Sequence, residues 1–167
     1  MRTVFLIGAM IAFAASRPTA HGRAWPGVNI DDINISAILV LGLEGASAWL
    51  KKPECRELFT EFRDLNGRPL KQKLDELQMD EVQYLAQVRF RDGSAHAACR
   101  RELTFMFTAP GSRVVFVCAD QFRRGMRNDM VLKNALVLHE AMHTLGLGEN
   151  PPTSAHITRR VVERCAW

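Results

Sequence analysis

Two histidines four residues apart, with a glutamate directly after the first, are the residues of this chain best suited to chemistry. They are His139, Glu140 and His143. On an α-helix, residues four apart lie one above the other on the same face, so both imidazole rings can reach one metal ion. Glu140 then lies on an adjacent flank, where it can reach a water molecule held by the metal. The spacing therefore predicts a Zn²⁺ site with His139 and His143 as ligands and Glu140 as the general base that activates a zinc-bound water.

The residues that follow indicate a third ligand. Gly146 can end the helix in a left-handed conformation, and Asn150-Pro151-Pro152 prevent the helix from continuing. The chain must then turn back, and Glu149 lies three residues past that turn. We expect Glu149 to be the third protein ligand, with one coordination position left open for water.

Together these positions read HExxHxxGxxE, from His139 to Glu149. The pattern resembles the long motif of the metzincins, zincin-type HExxH metallopeptidases whose motif ends in histidine or, in some branches, in an acidic residue. The resemblance implies a zincin-like core, metal ligands at His139, His143 and Glu149, a general base at Glu140, and a peptide or protein substrate. The segment HExxHxxGLGENPP also resembles the end of small secreted bacterial proteins of unassigned function.

Glu163 is the alternative third ligand. It lies 20 residues after His143, a spacing that resembles the thermolysin-type zinc peptidases. A C-terminal helix capped by Thr153 or Ser154 would carry an apolar stripe at positions 157, 161 and 165, and Glu163 points away from that stripe. Glu149 is therefore favoured.

Two features differ from the metzincin pattern and motivate an alternative function. No methionine follows Met142, so a methionine turn is missing, and 18 residues follow Glu149. The alternative is a non-catalytic exported zinc-binding or interaction domain that retains a zincin core, with a fourth ligand such as His156 in place of the water. The favoured function is an exported zinc-dependent hydrolase, a metallopeptidase.

The elements that must position these residues give an α+β fold. Asn128 or Asp129 can cap a helix that runs to Leu145 and is apolar nearly all round, which is typical of a buried helix. Period-two alternation on both sides of the turn at 109–112 predicts a β-hairpin over 103–118 in a small antiparallel sheet, with a third strand at 87–91. Further helices are predicted over 33–50, from Pro53 to Asn66-Gly67, around 70–77 and over 80–86.

The N-terminal residues are typical of an exported protein. An apolar run of twelve residues, 4–15, follows Arg2 and is too short to span a bilayer, which needs about 20. We therefore predict a signal peptide at 1–20, a flexible arm at 21–32 and one zincin-like domain at 33–167. The mature protein would be secreted or periplasmic, without stable membrane insertion.

The four cysteines are widely spaced and form no CxxC pair. In an oxidising compartment they predict two disulfides with three possible connectivities. We favour Cys55–Cys99 with Cys118–Cys165, although the sequence does not decide between the three.

Charge and composition exclude other classes. The chain has 167 residues, 47% of them hydrophobic, and a net charge of +4, which is usual for one globular domain. Without Arg2 and Arg17 the net charge is about +2, and no long basic run is present, which argues against a nucleic-acid partner. The sequence does not define the oligomeric state.

Overall fold

The computed structural model describes residues 25–167. The predicted signal peptide at 1–20 lies outside these residues. The helices are α1 Ile33–Trp49, α2 Pro53–Arg56, α3 Leu58–Glu61, α4 Leu70–Glu76, α5 Glu81–Leu85, α6 Ala119–Met126, α7 Met130–Thr144 and α8 Ser154–Cys165. The strands are β1 Val28–Asn29, β2 Arg89–Asp92, β3 Met106–Phe107 and β4 Val114–Val117, and a short 3₁₀ helix covers Ala97–Arg100.

The α+β class is confirmed, but the sheet is mixed, and the expectation of an antiparallel sheet was wrong. The strand order is β1-β2-β4-β3. β1 pairs with β2 and β2 with β4 in parallel, and only β3 is antiparallel, on β4. Parallel neighbours need a long crossover, which α1 to α5 supply between β1 and β2. Period-two alternation predicts a strand without defining the direction of its neighbour.

The predicted hairpin is present, with shorter strands than expected. Met106 pairs with Val117 and Phe107 with Phe116, and the connecting turn has Gly111 at φ 82°. Leu103 adopts φ 62°, which breaks the extended conformation before β3 begins. The expected third strand is β2.

The segment predicted as a flexible arm is attached to the sheet in its second half. Val28 and Asn29 form β1 beside Phe90 and Arg91, and Trp25 is buried. The polar and glycine-rich composition of 21–32 predicted a flexible arm. Composition alone gives no sign of the pairing with β2, which is distant in sequence.

The predicted helix from Pro53 is divided into α2 and α3 and ends before Asn66-Gly67. Its buried positions Cys55, Leu58 and Phe59 keep the predicted helical spacing. Phe62 is extended because the chain turns there to pair Arg63 with Pro69.

Helix α7 lies at the centre of the molecule, as its apolar character predicts. Asp129 caps it by accepting a hydrogen bond from the main-chain N–H of Leu132 at 2.8 Å, and eleven of its fifteen residues are buried. It packs on α1, α8, β3 and β4. The contact with α1 is close because Gly45 faces Asn134, where a Cβ would lie 2.3 Å from the amide nitrogen.

Both disulfides are present, but the favoured pairing was wrong. Cys55 is bonded to Cys165, and Cys99 to Cys118. The first disulfide joins α2 to α8, two elements that pack together although they are far apart in sequence. This contact between helices determines the pairing, and no local pattern reveals it. Two disulfides are compatible with an oxidising location.

Among the described residues, no single helix is long and apolar enough to cross a membrane. Residues 33–49 and 53–61 meet that requirement only as a pair, by length and composition, and the two parts are bent by 104°.

Candidate metal centre

Helix α7 places His139 and His143 one turn apart on one face, and both side chains are buried. Their Nε2 atoms are 2.9 Å apart. Two ring nitrogens that face each other at this distance repel if both carry lone pairs. A proton or a cation between them removes that repulsion.

Glu149 reaches the same point from the loop after α7. Its Oε1 lies 3.2 Å from Nε2 of His143 and 3.4 Å from Nε2 of His139. Gly146, at φ 110°, makes the reversal that brings Glu149 back, a conformation that L side chains rarely adopt.

A second loop supports this reversal from behind. The main-chain N–H of Leu65 donates to the oxygen of Gly146 at 3.0 Å, and Asp64 forms a β-bridge with Leu147. The Asp64 carboxylate holds its own loop by accepting from the main-chain N–H groups of Asn66 at 2.8 Å and of Arg68 at 2.9 Å. The position of Glu149 therefore depends on residues far away in sequence.

The outer nitrogens of both imidazoles have partners. His143 Nδ1 lies 2.7 Å from the main-chain oxygen of Leu147, which can only accept, so this nitrogen carries the proton. His143 Nε2 is then free to act as a ligand. His139 Nδ1 lies 2.9 Å from Oγ1 of Thr158 on α8. Such outer partners orient histidine ligands in metal sites.

The three inner atoms fit a metal ion. Tetrahedral coordination with bonds of about 2.0–2.1 Å separates ligand atoms by about 3.3 Å. The three separations here are 2.9, 3.2 and 3.4 Å. Two imidazoles and a carboxylate are also donors suited to a transition metal. The group formed by His139, His143 and Glu149 could therefore bind a metal ion.

The ionisation states of His139 and Glu149 favour metal binding. Burial lowers the pKa of His139, although Glu149 partly offsets this effect. The hydrogen bond with His139 lowers the pKa of Glu149, against the opposing effect of burial. Neutral imidazole and ionised carboxylate are the forms that bind metals.

Glu140 is buried beside this group without belonging to it. Its Oε2 has no hydrogen-bond partner among the described residues. Burial, with a further contribution from the negative charge of Glu149, raises its pKa to about 8. A buried carboxyl oxygen without a partner is uncommon in a folded protein.

A cleft of about 400 Å³ opens onto the site. Its lining includes His139, Glu140, His143 and Glu149, and also Arg101 with residues 103–108 around β3. Neither this segment nor Thr158 was predicted to contribute to the site. The hairpin pattern identified β3 as a strand but gave no sign that it borders the histidines.

Other candidate residues lie elsewhere. Glu163 is half exposed and pairs with Arg160 at 3.2 Å. His156 packs edge-on against Phe62, with ring centroids 6.3 Å apart. The geometry thus brings Glu149, and neither of these two, to the histidines. Ligation itself remains a prediction.

Comparison with models of protein families, with curated proteins and with solved structures found no match to this chain. The function therefore has to be inferred from the residues of the site.

Proposed function

We propose that this protein is an exported zinc-dependent hydrolase that cleaves peptide bonds. The observation that carries the proposal is the convergence of His139, His143 and Glu149 in a cleft that Glu140 also lines. Three protein ligands with one open position are typical of catalytic zinc, whereas structural zinc sites use four.

A zinc ion held by these residues would act as a Lewis acid and lower the pKa of a water molecule toward about 7. Glu140 accepts a proton from the attacking water and later donates it to the leaving amine nitrogen. Burial keeps the Glu140 carboxyl away from competing solvent hydrogen bonds. A zinc ion bound at this site would offset the effect of burial on the pKa of Glu140, because a nearby opposite charge favours the ionised form.

The position of β3 supports a peptide as the substrate. Within residues 25–167, β3 is an edge strand of the sheet and is antiparallel to its one neighbour, β4. Its residues line the same cleft as Glu140. An extended peptide can add to such an edge through main-chain hydrogen bonds, which would place one of its peptide bonds beside the site.

Export is supported by the two disulfides and by the signal-peptide pattern of residues 1–20. The alternative, a non-catalytic zinc-binding domain, needs a fourth ligand to close the site. Among residues 25–167, His156 is held against Phe62 and the metal-binding group contains three residues. The open position favours the enzyme.

The test compares the wild-type chain with Glu140→Gln, both loaded with Zn²⁺, on a mixture of unstructured peptides analysed by mass spectrometry. We expect the wild type to cleave the peptides and so produce new termini. Glu140→Gln should keep its zinc but cleave the peptides about 10²–10⁴-fold more slowly. Glu163→Gln is the control and should retain the wild-type rate. Hydrolysis by Glu140→Gln at the wild-type rate would contradict the role of Glu140.

A further inference from the structure

The cleft has an uneven distribution of charge. Its acidic lining residues, Glu140 and Glu149, both belong to the site itself. Among the described residues that line it, Arg101 is the only lysine or arginine. The wall of the cleft formed by Arg101 and residues 103–108 therefore carries one positive charge.

The main chain of Arg101 is held firmly. Its N–H donates to the oxygen of Ala98 at 3.1 Å, and its own oxygen accepts from Nε2 of Gln121 at 3.2 Å. Gln121 also donates to the oxygen of Cys99, which is bonded to Cys118. The disulfide and Gln121 thus fix the point from which the arginine side chain extends.

The guanidinium group forms no ion pair with a carboxylate within the described part of the chain, so it is free to bind another anionic group. A guanidinium presents several N–H donors in a planar fork that matches a carboxylate. An unpaired arginine on a fixed main chain at the wall of a cleft is suited to bind an anionic group of a ligand.

Leu103 adds an apolar contact next to this charge. It lines the same cleft, its exposed fraction is 81%, and its φ is 62°. A leucine in this conformation is strained, and such strain is concentrated at functional sites. Leu103 can cover the aliphatic part of a side chain whose charged end reaches Arg101.

Arg101 and Glu140 line the same cleft. A carboxylate bound by Arg101 would therefore belong to the peptide whose main chain lies at the site.

We propose that Arg101 binds a carboxylate of the substrate and makes the cleft selective for acidic peptides. The proposal rests on the proposed peptidase function and names its substrate class. The carboxylate could be an aspartate or glutamate side chain or the carboxyl terminus of the peptide.

The test measures binding, not turnover, with Zn²⁺-loaded Glu140→Gln protein and fluorescent peptides of one parent sequence. One set carries glutamate at each of the central positions in turn and an amidated terminus. A second set carries glutamine with an amidated terminus, and a third carries glutamine with a free terminus. We expect either the first or the third set to bind about 10- to 100-fold more tightly than the second, which also distinguishes the two sources of the carboxylate.

Adding Arg101→Ala should remove this preference, and adding Arg101→Lys should restore only part of it. These variants also distinguish Arg101 from direct binding of the carboxylate to zinc, because zinc is present throughout. Arg100→Ala is the matched control, since Arg100 is adjacent but does not line the cleft, and it should leave the preference unchanged.

Equal binding of all three sets, no binding of any peptide, or a preference that survives Arg101→Ala would overturn the proposal. Hydrolysis of the same peptides by the wild-type chain is measured in parallel. Cleavage of neutral peptides without an acidic preference leaves the peptidase function standing and overturns only the role of Arg101. Tight Arg101-dependent binding without any cleavage supports Arg101 and contradicts the peptidase function.

Discussion

Nδ1 of His143 lies 2.7 Å from the main-chain oxygen of Leu147, four residues further along the chain. This contact joins the end of α7 to the loop that carries Glu149. The same hydrogen bond that leaves His143 Nε2 free as a ligand thus also holds the loop that supplies the third ligand. The metal-binding group is built from one helix end and the reversal that follows it.

The hydrogen bond between His139 and Thr158 should contribute to metal affinity. We expect Thr158→Val to weaken zinc binding by about 10- to 100-fold, because the imidazole loses the partner that orients it. Competition with a chromophoric chelator measures the dissociation constant. Thr158→Ser keeps the hydroxyl and should bind nearly as the wild type does. Equal affinity of Thr158→Val and the wild type would show that Thr158 does not orient the ligand.

Gly146 should be needed for both folding and metal binding. A Cβ at this position would lie 3.1 Å from Cβ of Asp64, and φ is 110°. We expect Gly146→Ala to lower the free energy of unfolding by at least about 1–2 kcal/mol and also to weaken zinc binding, because Glu149 is displaced. Gly67 also has a positive φ but has open space around it. Gly67→Ala should therefore lower the free energy of unfolding without weakening zinc binding. An equal loss of zinc affinity in both variants would contradict the role of Gly146.

The ionised carboxylate of Asp64 should stabilise the fold at neutral pH, and this stabilisation should be lost in acid. Burial opposes its ionisation, but hydrogen bonds from Arg68 and Asn66 outweigh burial and lower the pKa of the carboxyl. The charged form is therefore favoured in the folded state, and its contribution is present above the unfolded pKa of about 3.9. It is lost as the pH falls through the lower folded pKa.

Urea denaturation from pH 7 to pH 2 checks this expectation with Asp64→Asn, which keeps an oxygen acceptor and removes the charge. The variant should be less stable at pH 7, and the difference from the wild type should shrink below about pH 4. A difference that stays constant over the whole range would mean that the charge of Asp64 does not contribute.

The two disulfides should differ in their contribution to stability because they close loops of different length. The cysteines are 110 residues apart in one pair and 19 in the other. The chain-entropy model gives about 4.8 kcal/mol for the longer loop and about 3.2 kcal/mol for the shorter. Replacing both members of each pair by alanine and measuring unfolding should show the larger loss for Cys55–Cys165. The reverse order would contradict the model for this protein.

Local patterns predicted much of the fold. The buried helix with its Asp129 cap, the hairpin at β3 and β4, and the C-terminal helix all follow from periodicity and turn residues. The proximity of Glu149 to the histidines was also predictable, because a single turn separates it from them. All of these features depend on residues close together in sequence.

The features that escaped prediction depend on long-range packing. The pairing of Cys55 with Cys165 requires α8 to lie against α2, and the parallel alignment of β2 with β4 requires a particular chain path. The positions of Thr158 and Arg101 are not predictable from the sequence for the same reason. Both are ordinary surface residue types, and only the fold places Thr158 against His139 and Arg101 in the lining of the cleft.

The most direct test of the metal centre is the zinc content of the folded chain with both disulfides formed, measured by elemental mass spectrometry. Wild type is compared with His143→Ala, Glu149→Ala and Glu163→Ala. We expect about one zinc per chain in the wild type and in Glu163→Ala, and a loss of zinc in the other two. Folded wild-type protein without bound metal, or loss of zinc in Glu163→Ala but not in Glu149→Ala, would contradict the metal centre described here.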